Sequence, residues 1–204
     1  MFKGTVFSAG GYSALYGEAL SSALILESID LPERSAASLA VSPIILGGGF
    51  QDLAKDKKSS WGINYGYVNL IAYFNIVKQQ PDYFKMPEFH NADANFRFKT
   101  KRGGMVKYYT TFSYSKLGLR RPDVDSADLK DGFGLKNLNW YNNLSWRENL
   151  GRGWKMNLGL GYSTNTDNIT QQLQDQNNQQ VLSKSTLGIC QELYGQEYSA
   201  IVPG

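Results

Sequence analysis

The sequence predicts an all-β fold: a transmembrane antiparallel β-barrel segment, a meander of about seven or eight strands, preceded by a short N-terminal unit of different character. Three observations predict it. Apolar and polar residues alternate with period two in segment after segment. The connections between those segments alternate between short and long. Rings gather near both ends of the alternating runs.

The alternation is clearest over His90–Thr100. Ala92, Ala94, Phe96 and Phe98 interleave with Asn91, Asp93, Asn95, Arg97 and Lys99. Successive side chains of a strand point to opposite faces, so this run has one apolar face and one strongly polar face. Lys101–Gly104 reads as a tight turn. In the next strand Val106, Tyr108, Thr110, Phe112 and Tyr114 oppose Lys107, Tyr109, Thr111, Ser113 and Ser115. A second hairpin repeats the plan. Leu138, Trp140, Leu144 and Trp146 share one face, interrupted by Asn142, while Asn139, Tyr141, Asn143, Ser145 and Arg147 share the other. After a turn at Asn149–Gly153, Trp154, Met156, Leu158, Leu160 and Tyr162 alternate with Lys155, Asn157, Gly159, Gly161 and Ser163. Upstream, Trp61, Ile63, Tyr65 and Tyr67 alternate with Ser60, Gly62, Asn64 and Gly66. Weaker strands are expected near Ser35–Ser42 and Ile44–Leu53, with an eighth near Ser183–Leu193.

These strands have about the 9–11 residues that a tilted strand needs to cross a bilayer. Connections at Ala54–Lys58, Lys101–Gly104 and Asn149–Gly153 are short, and those at Leu70–Phe89, Leu117–Lys136 and Asn165–Leu182 are long. Short turns on one side and long loops on the other fit an outer-membrane barrel. Trp61, Trp146 and Trp154 fall near the short-turn ends, and Tyr67, Tyr114 and Tyr162 near the long-loop ends, as two interfacial girdles would. A soluble sheet would need a second apolar layer, and no helix or second sheet is legible to supply one.

Composition narrows the function. Of 204 residues, 42% are hydrophobic, 13% aromatic and 19% charged, a balance suited to β structure wet on one face. The net charge is +3 with Lys and Arg scattered, so no basic stripe marks a nucleic-acid site and no nucleic-acid partner is expected. The single Cys190 excludes an intrachain disulfide and a cysteine metal cluster. His90 is the one histidine, so no two-histidine metal site exists; at a strand start it reads as interfacial. Asp123, Asp125, Asp128 and Asp131 cluster in a loop, but the EF-hand positions that need a side-chain ligand, Gly and Glu hold Ala127, Asp128 and Gly134. Gly47-Gly48-Gly49 lacks the Lys-Ser/Thr of a phosphate loop and reads as a place where a strand bends or another backbone approaches. No Ser-His-Asp set or acid–base carboxylate pair is legible. The expectation is therefore no enzyme, no cofactor and no metal. The N-terminus, Met-Phe-Lys-Gly-Thr, has no apolar signal region, which favours reading the chain as a fragment of a longer protein.

The first residues carry a resemblance. Gly10-Gly11-Tyr12-Ser13-Ala14-Leu15-Tyr16-Gly17, then Glu18-Ala19-Leu20-Ser21-Ser22 and the apolar strand Ala23–Leu26, resemble the last segment of the plug in TonB-dependent outer-membrane receptors. The Ala-Leu-Ser-Ser stretch is similar to receptors of the carboxypeptidase-like regulatory domain type; other members have Gly-Gly there. The glycines would allow the close approach that a wedged plug needs. The resemblance implies a division into residues 1–34, the C-terminal end of a plug domain with its Asp30–Arg34 connector, and residues 35–204, the N-terminal part of the barrel. It further implies a bacterial outer-membrane location, outer-membrane lipid and TonB as partners, and energised uptake of a scarce nutrient: a siderophore, glycan, cobalamin or peptide.

On this reading Asn91, Asp93, Asn95, Arg97, Lys99, Lys107, Asn139, Asn143, Lys155 and Asn157 face the lumen. Trp61, Tyr65, Tyr67, Phe96, Phe98, Tyr108, Phe112, Tyr114, Trp140, Trp146, Trp154 and Tyr162 face lipid or its girdles. The rival is a small ligand-binding β-barrel or β-sheet module with no transport role.

Overall fold

The computed structural model describes residues 2–8, 23–77, 82–123, 126 and 128–201. Ten strands and one short helix account for most of them. Strands β1 (Phe2–Ser8) and β2 (Ala23–Ser28) form an antiparallel pair of their own. There follow β3 (Ala36–Val41), β4 (Ile45–Leu53), β5 (Ser59–Asn69), helix α1 (Ile71–Ile76), β6 (Asp82–Lys99), β7 (Met105–Pro122), β8 (Leu129–Gly151), β9 (Trp154–Asp175) and β10 (Gln180–Ile201).

Strands β3 to β10 make one eight-stranded antiparallel meander in chain order. Its edges are β3 and β10, which do not pair with each other, so the sheet is open. All eight expected strands are present. The three short connections are tight turns. Gly103 (φ 81°) closes β6 to β7, and Gly151 (φ 84°) with Gly153 (φ 82°) brackets Arg152 between β8 and β9. Such positive φ values are costless only for glycine. In the β4–β5 turn the Asp56 carboxylate accepts the Lys58 N–H at 3.0 Å, and Lys57 takes the left-handed position.

One expectation needs correction. The strands of the second half are far longer than the alternation suggested: β8 has 23 residues and β9 and β10 have 22 each. Most of what reads as long loops at Leu70–Phe89, Leu117–Lys136 and Asn165–Leu182 is strand, with α1 in the first. Tyr114 and Tyr162 therefore sit well inside β7 and β9 and not at their ends. The physical reason is a change of phase. Above the level of His90, the apolar residues of β7, β8 and β9 switch face: Leu117, Leu119, Phe133, Leu135, Ile169 and Leu173 project from the side that is polar below. An alternation whose polarity inverts mid-strand looks like its own end. The apolar strand expected at Ala23–Leu26 is present as β2, and it pairs with Phe2–Ser8, a segment that carries no strand expectation.

The sheet has no interior. Met105 is the one buried large apolar side chain among the described residues, while Leu39, Phe50, Trp61, Ile63, Phe98, Trp140 and Leu160 are exposed. Eight paired strands satisfy the backbone, but no described residue covers the apolar side chains, so among the described residues this face is complete only against a further apolar medium or partner. Among the described residues no helix is long and apolar enough to cross a membrane.

Candidate functional site

Register, more than any single residue, defines the two faces. Arg97 is opposite Lys107, which is opposite Ser145, which is opposite Gly159. Residues directly opposite share a face, so over the levels of Glu88 to Lys99 parity propagates without slip from β4 to β9, the register shifts lying above, between Tyr83 and Glu88, and below, between Asn149 and Gly151. It gathers Asn91, Asp93, Asn95, Arg97, Lys99, Lys107, Asn139, Asn143, Lys155 and Asn157 on one side. It gathers Trp61, Tyr65, Tyr67, Phe96, Phe98, Tyr108, Phe112, Tyr114, Trp140, Trp146, Trp154 and Tyr162 on the other. The motif Gly10, Gly11, Tyr12, Ser13, Ala14, Tyr16 and Gly17 lies outside the described residues.

On β6, β7 and β8 the apolar side spans the same levels, and on β9 it sits lower, from Trp154 to Tyr162. His90, Tyr114 and Leu138 are successive cross-strand partners at its upper limit on β6 to β8, and Phe98, Val106 and Trp146 at its lower limit. At roughly 3.3 Å per residue the band is about 26 Å long measured along a strand. The few polar atoms inside it bond to one another. Tyr108 Oη donates to Asn142 Oδ1 at 2.8 Å, and Trp140 Nε1 donates to Thr110 Oγ1 at 3.0 Å. Asn142, which interrupts the sequence pattern, is thus half-satisfied without water.

The polar side is a ladder of amides and carboxylates. Asn64 Nδ2 donates to Asp93 at 2.8 Å; Asn137 Nδ2 donates to Asn165 at 2.8 Å and to Asp167 at 2.6 Å. Glycines on β4 and β5 make room for it. A Cβ added to Gly49 would fall on the Asn64 amide, and one added to Gly62 would stand 3.0 Å from Asn95 Nδ2. Beside them lies a shallow hollow of about 210 Å³ lined by Ser38, Gly49, Gln51, Gly62, Asn95 and Arg97, among others. Ser60 Oγ, Asn95 Oδ1 and Arg97 Nη1 are buried with no hydrogen-bond partner among the described residues. A hydroxyl, an acceptor and a cationic donor so placed suit a ligand or backbone that carries both N–H and C=O groups.

One carboxylate ties the N-terminal unit to this side. Asp30, two residues beyond β2, lies 2.9 Å from Lys107 Nζ and also pairs with Arg147. Lys107 Nζ further donates to the Ser28 carbonyl at 2.8 Å and to Ser28 Oγ at 3.1 Å. The connector therefore docks on the polar side. Sequence reasoning placed Asp30 in a connector and gave Arg147 no role. The available signal was an acid in a short polar stretch next to an apolar strand, facing a sheet side rich in Lys and Arg.

At the short-turn end Glu148 acts as a staple. Its carboxylate accepts Thr100 Oγ1 at 3.0 Å and Trp146 Nε1 at 3.3 Å, and Thr100 Oγ1 accepts the Gly104 N–H at 2.8 Å. The Thr100 hydrogen bond, foremost, holds the Glu148 carboxyl below the usual carboxylate range. A Cβ at Gly104 would meet the Arg147 carbonyl and approach Glu148 Oε1 to 2.7 Å. No group of three or more metal-ligating side chains gathers among the described residues.

The chain matches no protein-family model, no curated protein and no solved structure.

Proposed function

We propose that this chain is a membrane-spanning segment of a TonB-dependent outer-membrane receptor, with its apolar side against lipid and its polar side lining a lumen that holds the end of the plug. One observation carries the reading: over about 26 Å along the strands, one face of β6, β7 and β8 is largely apolar while the opposite face at the same height is polar and anchors the preceding segment. An outward apolar band of roughly 25 Å with a wet interior is what spanning strands require. Cost supports the same assignment. Arg or Lys facing lipid at mid-bilayer costs about 2–4 kcal/mol, whereas a lumen with water and a polar plug solvates it. Arg97 and Lys107 belong to the polar side. The open sheet also supports a segment of a larger barrel over a closed eight-stranded module, because its two edges remain unpaired with one another. In the full receptor the function is energised uptake of a siderophore, glycan, cobalamin or peptide.

The four tryptophans offer a direct test, since all lie on the apolar side and are 38–46% exposed. The chain is refolded into phosphatidylcholine vesicles carrying bromine on the acyl chains. Flotation with the vesicles and quenching of Trp emission are expected. A chain that stays in buffer as a monomer with unquenched emission refutes the membrane reading and leaves the ligand-binding module. Uptake is tested separately, by whether loss of the encoding gene abolishes proton-gradient-dependent import of one of these nutrients.

A further inference from the structure

Directly above the apolar band, on the same side of the sheet, runs a row of cross-strand neighbours: Glu88, Lys116, Lys136 and Asn168. Two lysines opposite each other in a sheet repel and are destabilising. Glu88 serves one of them, 2.9 Å from Lys116 Nζ, and also accepts or shares the proton of His90 Nε2 at 2.9 Å. Lys136 is exposed and has no ion-pair or hydrogen-bond partner among the described residues. Higher on this side stand Arg120 and Lys130, with Asp82 as the counter-ion of Arg120. Between the rows the side chain of Phe84 covers Gly118 and Gly134 and meets the Arg120 guanidinium at 4.8 Å. The result is a net positive strip whose lower border is the aromatic row Tyr67, His90 and Tyr114 and, below it, the apolar band.

We infer that this strip binds the phosphate headgroup of an anionic membrane lipid, with Lys136 and Lys116 on the phosphate and the acyl chains lying down the apolar side. The inference rests on the membrane reading above. Charge complementarity selects the occupant: the unneutralised cation stands where a headgroup would be if acyl chains covered Phe112, Trp140 and Leu160. An acidic protein would satisfy the lysines but would not need the apolar band beneath them. A phosphate between Lys116 and Lys136 would also relieve their mutual repulsion.

The test uses the full chain in mixed micelles with equal amounts of phosphatidic acid and phosphatidylcholine, read as lipid adducts retained in native mass spectrometry. Phosphatidic acid is expected to be retained preferentially. Lys136→Gln should weaken that retention about fivefold, as expected for one surface cation near an anionic headgroup. Lys136→Arg should keep it. Lys184→Gln, on the opposite face, should leave it unchanged. Equal retention of the two lipids, or equal loss from Lys184→Gln, overturns the inference. So does full displacement by inorganic phosphate, which would mark a phosphate site indifferent to acyl chains. Bromine quenching in parallel samples separates the two failures: a chain that is quenched but shows no lipid preference loses only this inference, and one that is not quenched loses the membrane reading as well.

Discussion

Replacing Asp30 by Asn should release the N-terminal segment from the sheet. The substitution keeps the shape and removes the charge that faces Lys107 at 2.9 Å and Arg147 beside it. The magnitude follows from exposure. Lys107 is 14% exposed but Asp30 is 37% and Arg147 is 50% exposed, so the pair is screened and falls well short of a buried ion pair. A charge-assisted hydrogen bond in such a setting contributes about 1–2 kcal/mol, and the variant also leaves the Lys107 and Arg147 cations without the carboxylate between them. Lys107 retains its bonds to the Ser28 carbonyl and hydroxyl, which limits the loss. The expected outcome is local: amide hydrogen exchange of β2 and residues 28–34 accelerates about five- to thirtyfold, while the β7–β8–β9 ladders keep their protection. Raising salt should narrow the gap between wild type and variant, because the pair is partly exposed. Lys107→Met should give the same phenotype from the other partner. If exchange in this segment is unchanged in both variants at low salt, Asp30 does not anchor it and the docking argument is wrong.

Other consequences are more local. Phe112→Arg, mid-band on the apolar side, should lower stability in lipid by about 2–4 kcal/mol, whereas Thr111→Arg on the polar side should cost under about 1 kcal/mol; equal costs in urea titrations from vesicles would undo the assignment of faces. Gly104→Ala forces a methyl onto the Arg147 carbonyl and Glu148, so a loss of at least about 2 kcal/mol is expected, with Gly66→Ala, where open space surrounds the position, as the mild comparison. The Glu148 carboxyl is held below its unfolded-state pKa, so it contributes stability above the unfolded value, and that contribution disappears as pH falls through the folded value. Glu148→Gln should therefore flatten the acid side of the stability profile and leave the neutral-to-basic side parallel to wild type; an unchanged acid limb would deny Glu148 this role.

Much of the architecture was legible in residue order because the physics that sets it is local. A period-two pattern over Asn91–Lys99 admits one partition of side chains, and glycines at 103, 151 and 153 sit where the backbone must take positive φ. Eight strands and a meander follow from such signals read one after another. Sequence alone also argued for a sheet without an apolar partner layer, since no segment offers one, and the exposed Leu39, Trp61 and Leu160 agree.

Tertiary structure decided the rest, and for one reason: pairing between strands is not encoded in any strand alone. Register places Lys116, just past the expected end of its strand, against Lys136, which the sequence assigns to a loop, and so creates a charged row at one level. It carries β7, β8 and β9 upward past the point where their polarity inverts, because each extended strand finds a ladder partner whatever its side chains. It also brings Asp30 to Lys107 and Arg147, between 77 and 117 residues away in sequence, a contact that no short-range pattern can announce. Alternation determined which side chains share a face; only the assembled sheet determined at what height, opposite what, and beside which segment of the chain they stand.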